Sequence, residues 1–389
     1  VCFNQLLSPK FRCHVYISSN SNRSAHSRLE CCPNSTQRQG SAVFEICRCW
    51  FAGRKQFDGL WKNNAETGLQ IGINLTDPIF RGVYHGKKAH QDDLPQIVER
   101  ALGAGCRKLM VTGSDLDQSH KAIDLAEQYR TSYSFALRVP CTYTYATAGL
   151  CYATVGVHPC SAMTFDKYSD GPDALLAALR HVAIKSKTAG TAVAYGEFGL
   201  DYDRLHYADK ETQIKYFRKQ LEIAVQVQLP LFLHSRAAAE DFEAILRERL
   251  DELPKRGCVH SFTGTLDEMK KIVDMGFDVG INGCSLKTEE NVQVVKQVPL
   301  ERLQIETDGP WCEMRPSHAS AKYLKDAPPL PKAVKKDKWT ADTMVKGRNE
   351  PCAIPNVAYA IANIKGISVE EVCEAAWNNS INMFGLGET

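Results

Sequence analysis

AVAYGEFGLDYD, residues 192–203, opens on a run that is apolar at every position: Ala192, Val193, Ala194, Tyr195. Strands that alternate apolar and polar bury one face; a run without alternation reads as a strand covered on both faces, as in a parallel sheet. The run reaches Gly196 and then delivers a carboxylate, Glu197. Seven further short runs share this character, at 69–74 (LQIGIN), 107–112, 152–157, 230–233, 257–260, 277–282 and 303–307, with the fourth strand counted over 193–196.

Between the runs lie amphipathic stretches. HQDDLPQIVERALGAG (90–105) places Leu94, Ile97, Val98, Ala101 and Leu102 on one helical face and ends in glycine. DKETQIKYFRKQLEIAVQV (209–227) repeats Ile214, Phe217, Leu221 and Ala224, and TLDEMKKIVDMG (265–276) opens on a capping Thr265. Eight strands alternating with helices predict a (β/α)₈ barrel of class α/β, a fold of about 250 residues. Residues 67–389 accommodate it with insertions at 131–150 and 310–353. A doubly wound open sheet is the alternative, because periodicity does not register closure.

The 389 residues are 44% hydrophobic and 24% charged, with a net charge of +2. That describes a globular chain whose basic surface, if it has one, is local. No apolar run approaches the ~18 residues of a membrane span. Fifteen cysteines contain no C-x-x-C pair, which argues for reduced thiols rather than a zinc ribbon or a disulfide framework. Residues 1–66 are rich in Ser, Arg and Cys and carry no acid before Glu30. They read as a poorly ordered extension, an organelle-targeting segment or a gene-model artefact. The remainder predicts a monomer of the cytoplasm or nucleus.

A barrel of this kind performs its chemistry at the C-terminal ends of its strands. There the runs deliver Asn74, His158, Glu197, His234, His260 and Asp308. Singly, each has a structural explanation: His158 as a turn residue, His234 and His260 as satisfied core histidines, Asp308 as a cap. Glu197 resists one, because a buried carboxylate needs a cation or several donors. Together, three imidazoles and two carboxylates on one rim are a ligand set for a divalent transition metal or, with more water, magnesium.

YGEFGLDYD, PLFLHSR, VHSFTGT, ETDGPW and GRNEP together resemble the TatD family of metal-dependent deoxyribonucleases among the amidohydrolase-like barrels. IGINLTDPIF and INGCSLKTEEN are similar to its eukaryotic branch in particular. The resemblance spans about 67–385 and implies up to two divalent ions (Mg²⁺, or Mn²⁺ or Zn²⁺). Glu197 would bridge them, His234 and His260 would complete one, and Asp308 would bind the other and activate water. His158 would lie near the scissile phosphate. Many members carry His-x-His at the end of the first strand, where this chain has Gly72 and Asn74. The Asp308 ion is therefore expected to be the weaker, with Asn74 near the substrate.

The resemblance also implies 3′→5′ exonuclease action on DNA. Arg236 is a candidate phosphate contact through its fork of donors. The 310–353 loop carries Lys335, Lys336, Lys338 and other basic residues, Arg348 among them, together with Trp311 and Trp339. That composition suits backbone tracking and base stacking at strand ends without sequence readout. Two other functions stay open: an ester or amide hydrolase on the same barrel, such as a deacylase acting on charged tRNA, and a nucleic-acid-binding protein with weakened catalysis.

Overall fold

The computed structural model describes residues 69–136, 149–253 and 255–386, so the expectations for residues 1–66 and most of the 131–150 insertion lie outside the described residues. Eight strands form one sheet: β1 Leu69–Ile73, β2 Lys108–Val111, β3 Cys151–Val155, β4 Ala192–Asp201, β5 Leu231–Arg236, β6 Gly257–Val259, β7 Asp278–Ile281 and β8 Leu303–Ile305. They pair in chain order, all parallel. The first and last meet through a bridge between Ile71 and Glu306. Across that seam Asp308 N–H donates to Gly72 O at 3.1 Å and Asn74 N–H to Gly309 O at 2.9 Å. The sheet is closed, which removes the open-sheet alternative.

The longer helices are α1 Leu94–Gly103, α2 Leu116–Ala136, α3 Pro172–Thr188, α4 Lys210–Val227, α5 Ala239–Arg247, α6 Leu266–Asp274, α7 Glu289–Gln297, α8 Ile354–Lys365 and α9 Val369–Phe384. Thr265 caps α6 in a reciprocal box with Glu268, satisfying two amides that a helix start otherwise leaves open. α2 runs to Ala136, so its last turns occupy positions that the sequence assigns to the insertion. Among the described residues no helix is long and apolar enough to cross a membrane.

The apolar strands divide their side chains between two clusters. Leu109, Val111, Ala153, Val155, Leu231, Leu233 and Val259 join the large core shared with the helices. Their alternates Met110, Tyr152, Phe232 and Cys258 pack with Ile71, Phe384 and Leu386. Both faces are covered, which is why the strands lack alternation; each fully buried side chain of this size contributes about 1.5–3 kcal/mol. Tyr152 hydroxyl donates to Leu386 O at 2.7 Å, fastening the chain beyond α9 to that second cluster.

β4 is longer than the apolar run suggests. Its pairing with β5 passes from Gly196↔Phe232 to Phe198↔Leu233, so Glu197 is an extra residue in the ladder, and the strand continues to Asp201↔Arg236. Such a bulge re-aims one side chain without ending the strand. Gly196 makes it feasible: its φ is +149°, and a Cβ there would stand 2.0 Å from Phe232 O. The Glu197 amide is satisfied by Gly113 O at 2.8 Å.

The 310–353 segment is tied down rather than free. Its 3₁₀ turns carry a two-stranded parallel ribbon, Ala333–Val334 with Met344–Val345. Arg348, grouped with the surface lysines on sequence, is 1% exposed. Its guanidinium takes both Asp93 oxygens, at 3.0 and 2.5 Å, and Glu350 at 2.9 Å. Arg100 holds the other Glu350 oxygen at 2.8 Å. Two buried carboxylates thus draw Arg348 inward and fasten the segment to the start of α1.

Candidate active site

The bulge directs Glu197 into a pocket of imidazoles. Its Oε1 lies 2.6 Å from His260 Nε2, 3.0 Å from His234 Nδ1 and 3.4 Å from His158 Nε2. His234 stands within β5 and His260 directly follows β6, so two neighbouring strands set both rings. His158 starts the turn after β3, where its Nδ1 accepts the Cys160 amide at 3.0 Å. That bond fixes the proton of a neutral His158 on Nε2, pointing an N–H into the site. Donor atoms of His158, Glu197 and His234 all lie within 4.8 Å of one another.

Asp308 follows β8 with its backbone at φ 53°, a region uncommon outside glycine and held here by the seam. Asn74 Nδ2 donates to Asp308 Oδ1 at 3.0 Å, and the Cys312 thiol lies 3.4 Å from Oδ2. Asn74 therefore supports Asp308 with its amide N–H. The residues predicted at the strand ends come together at one mouth.

Two buried carboxylates at the site escape the sequence reading. Asp201, four residues beyond Glu197 on β4, has Oδ2 3.2 Å from His234 Nε2 and 3.8 Å from Arg236 Nη1. Glu306, two residues before Asp308, has Oε2 3.4 Å from His260 Nδ1, and its Oε1 accepts the Ser261 amide. Even spacing along an extended chain, which keeps side chains on one face, is the signal that could have found both.

Desolvation opposes ionisation of Glu197, but His260, His158 and His234 overrule it and hold its carboxyl well below the ordinary range. Desolvation likewise acts against charge on His260, yet Glu197 and Glu306 raise its pKa well above the usual imidazole value. Burial pushes His158 down to about 3, against the pull of Glu197. Asp308 is pushed up to about 7 by desolvation, with Glu306 and Glu197 adding to the rise and His260 opposing it. Four carboxylates and three imidazoles thus share a buried space, and Asp201 Oδ1, Glu306 Oε2 and His260 Nδ1 lack hydrogen-bond partners among the described residues. The surplus of oxygen and nitrogen donors fits divalent cations.

The expected substrate contacts are less uniform. Trp311 is 57% exposed and free to stack. Trp339 is instead stacked on His90 with 4.9 Å between ring centroids. Lys335, Lys336 and Lys338 are exposed on one short turn, with Lys336 Nζ 4.8 Å from the centre of the Tyr84 ring. Arg236 is partly exposed beside Asp201, at the edge of a cavity of about 680 Å³ also lined by Asp203, Phe262, Glu268 and Lys271. That cavity is a flank of the site, since Glu197, His234, His260 and Asp308 are not among its walls.

A model of the TatD-related DNase family matches residues 83–385. The chain is 50% identical over 313 residues to "Deoxyribonuclease Tat-D" of Schizosaccharomyces pombe, covering 80% of this chain and 94% of that one. It is 30% identical to the "3'-5' ssDNA/RNA exonuclease TatD" of Erwinia amylovora, over 82% of this chain and 100% of that one. The crystal structure of a TatD-family hydrolase from Entamoeba histolytica superposes with a TM-score of 0.71 at 34% identity, over 82% and 98% of the two chains. The match runs from the β1–α1 connection through α9 and takes in every strand-end residue that surrounds Glu197, so this chain belongs to the TatD-related DNase family.

Proposed function

We propose that this protein is a divalent-metal-dependent deoxyribonuclease that removes nucleotides from DNA 3′ ends. The convergence of three histidines on the bulged carboxylate of Glu197 carries the reading. The similarity to the Schizosaccharomyces deoxyribonuclease and to the Erwinia 3'-5' ssDNA/RNA exonuclease supports the substrate class and the direction. Mg²⁺ is the favoured ion, with Mn²⁺ or Zn²⁺ as substitutes. Glu197, His234 and His260 would hold one ion, and Asp308 a second with help from Glu197. When bound, such ions neutralise charge on a phosphodiester and make water more acidic.

The chain's own groups divide the remaining work. His158 presents its Nε2–H as a donor for a phosphate oxygen. Asp308, whose Oδ1 accepts from Asn74, would help hold the second ion and offer Oδ2 to take a proton from water. Arg236 meets a phosphate at the edge of the site, Trp311 stacks a terminal base, and Lys335, Lys336 and Lys338 track the backbone.

The test is hydrolysis of end-labelled single- and double-stranded DNA by purified protein in Mg²⁺ or Mn²⁺. A ladder shortening from the 3′ end, abolished by a 3′-terminal phosphorothioate, is expected. A metal-loaded protein that leaves DNA intact and cleaves acyl esters instead would make it an ester hydrolase of the same fold. One that binds DNA without cleaving either would make it a binding protein.

A further inference from the structure

We infer that Asp201 and Glu306 are positioning residues that hold His234 and His260 in opposite tautomers, each with a bare nitrogen turned to Glu197. The inference rests on the proposal that these histidines hold a divalent cation. Its foundation is a symmetry in the contacts. Each ring lies between Glu197 and one outer carboxylate, but the two rings use opposite nitrogens. His234 turns Nδ1 to Glu197 at 3.0 Å and Nε2 to Asp201 at 3.2 Å. His260 turns Nε2 to Glu197 at 2.6 Å and faces Glu306 Oε2 with Nδ1 at 3.4 Å, a looser approach in which neither atom has another partner among the described residues.

A neutral imidazole carries one proton, and a carboxylate without a proton can only accept it. Where Glu197 and both rings hold a cation, the outer carboxylates are the acceptors left for the ring protons, which then sit on Nε2 of His234 and on Nδ1 of His260. In both cases the lone pair is left on the side of Glu197. A histidine ligates a cation only through a bare nitrogen, and a hydrogen bond from the other nitrogen fixes which one that is. Two rings on neighbouring strands point different nitrogens at one carboxylate, so a single shared tautomer would leave one of them facing Glu197 with an N–H.

The outer carboxylates are themselves immobilised. Asp201 is 2% exposed and Glu306 wholly buried. The Asp201 amide donates to Gln213 Oε1 at 2.7 Å, whose Nε2 returns to Asp201 O at 3.0 Å, pinning the end of β4 to α4. Glu306 Oε1 accepts the amide of Ser261, the residue after His260, so one glutamate orients both the ring and its backbone. A buried carboxylate is costly without partners. These two sit where their main side-chain partner is an imidazole.

The test uses the full chain loaded with Zn²⁺, which is diamagnetic. Long-range ¹H–¹⁵N correlation on ¹⁵N-histidine protein should show Nε2–H on His234 and Nδ1–H on His260, each assigned by substitution of the ring. In chelator competition, Asp201→Ala should weaken Zn²⁺ binding about 10–100-fold, while the metal-free protein melts near the wild-type temperature. Asp201→Asn, which keeps an acceptor oxygen without its charge, should fall between. Glu306→Gln, which likewise keeps an acceptor oxygen, should behave as Asp201→Asn does. If it fails to fold, the spectrum and the Asp201 series still decide. The same nitrogen protonated on both rings, or unchanged affinity in the Asp201 variants, overturns the inference alone. A folded wild-type chain that binds no Zn²⁺ overturns it together with the metal reading.

Discussion

The two sides of the barrel mouth are built from different materials. On the Glu197 side, three imidazoles surround one carboxylate, and two of them are gripped from behind by Asp201 and Glu306. On the Asp308 side, the carboxylate has an amide N–H from Asn74 and a thiol from Cys312 beside it, and no imidazole at position 72. The first arrangement offers several fixed ligands; the second offers one carboxylate and leaves the rest to water and substrate. A cation on the Glu197 side should therefore be retained through purification, and one near Asp308 should exchange readily.

The largest effect that would break this contrast belongs to Glu197. Glu197→Ala removes the group shared by three histidines, and nuclease activity should fall by about a thousandfold or more, because charge stabilisation by metals is worth several kcal/mol and each 1.36 kcal/mol is tenfold. Wild-type activity at limiting metal would end the bridging assignment. Asp308→Ala should be next, with turnover down roughly a hundredfold or more, as when one group stabilising a transition state is removed. Elemental analysis sharpens the comparison: that variant should keep its tighter ion, whereas Glu197→Ala should lose it.

Gly72→His asks whether the missing imidazole can be restored. Gly72 has φ +65°, and a Cβ there would stand 2.3 Å from Glu306 Oε2. Overpacking of this kind costs about 1–3 kcal/mol, read as a melting temperature lower by about 2–4 °C per kcal/mol. A variant that melts like wild type and binds a second ion tightly would remove the distinction between the two sides. The smallest effect is expected on the rim. Replacing Lys335, Lys336 and Lys338 with Ala should weaken single-strand binding and flatten its salt dependence, by about 0.7 log unit per log unit of salt for each phosphate no longer neutralised. Cleavage of saturating DNA should barely change.

Much of the fold is legible because parallel strands buried on both faces leave plain apolar runs, and all eight can be placed from them. The strand ends then point to Glu197, His158, His234, His260 and Asp308 by register alone. What the sequence hides is partnership. A charge after Gly196 reads as a strand terminus, whereas a bulge keeps Glu197 inside the ladder. Asp201 lies beyond the fourth apolar run and Glu306 inside the eighth, and neither announces a role until the rings they face are visible. Arg348 reads as a surface cation because its partner Asp93 is 255 residues away in the chain. Trp339 reads as a stacking platform because nothing local announces His90 beneath it.

The seam between β1 and β8 bears on the birth of the enzyme. Asn74 and Asp308 touch across 234 residues of sequence, and Glu306 reaches His260 from the same late strand. A chain still emerging from the ribosome holds Glu197 and its histidines long before β8 arrives to close the barrel. Nuclease competence is thus deferred until nearly the whole polypeptide has been made.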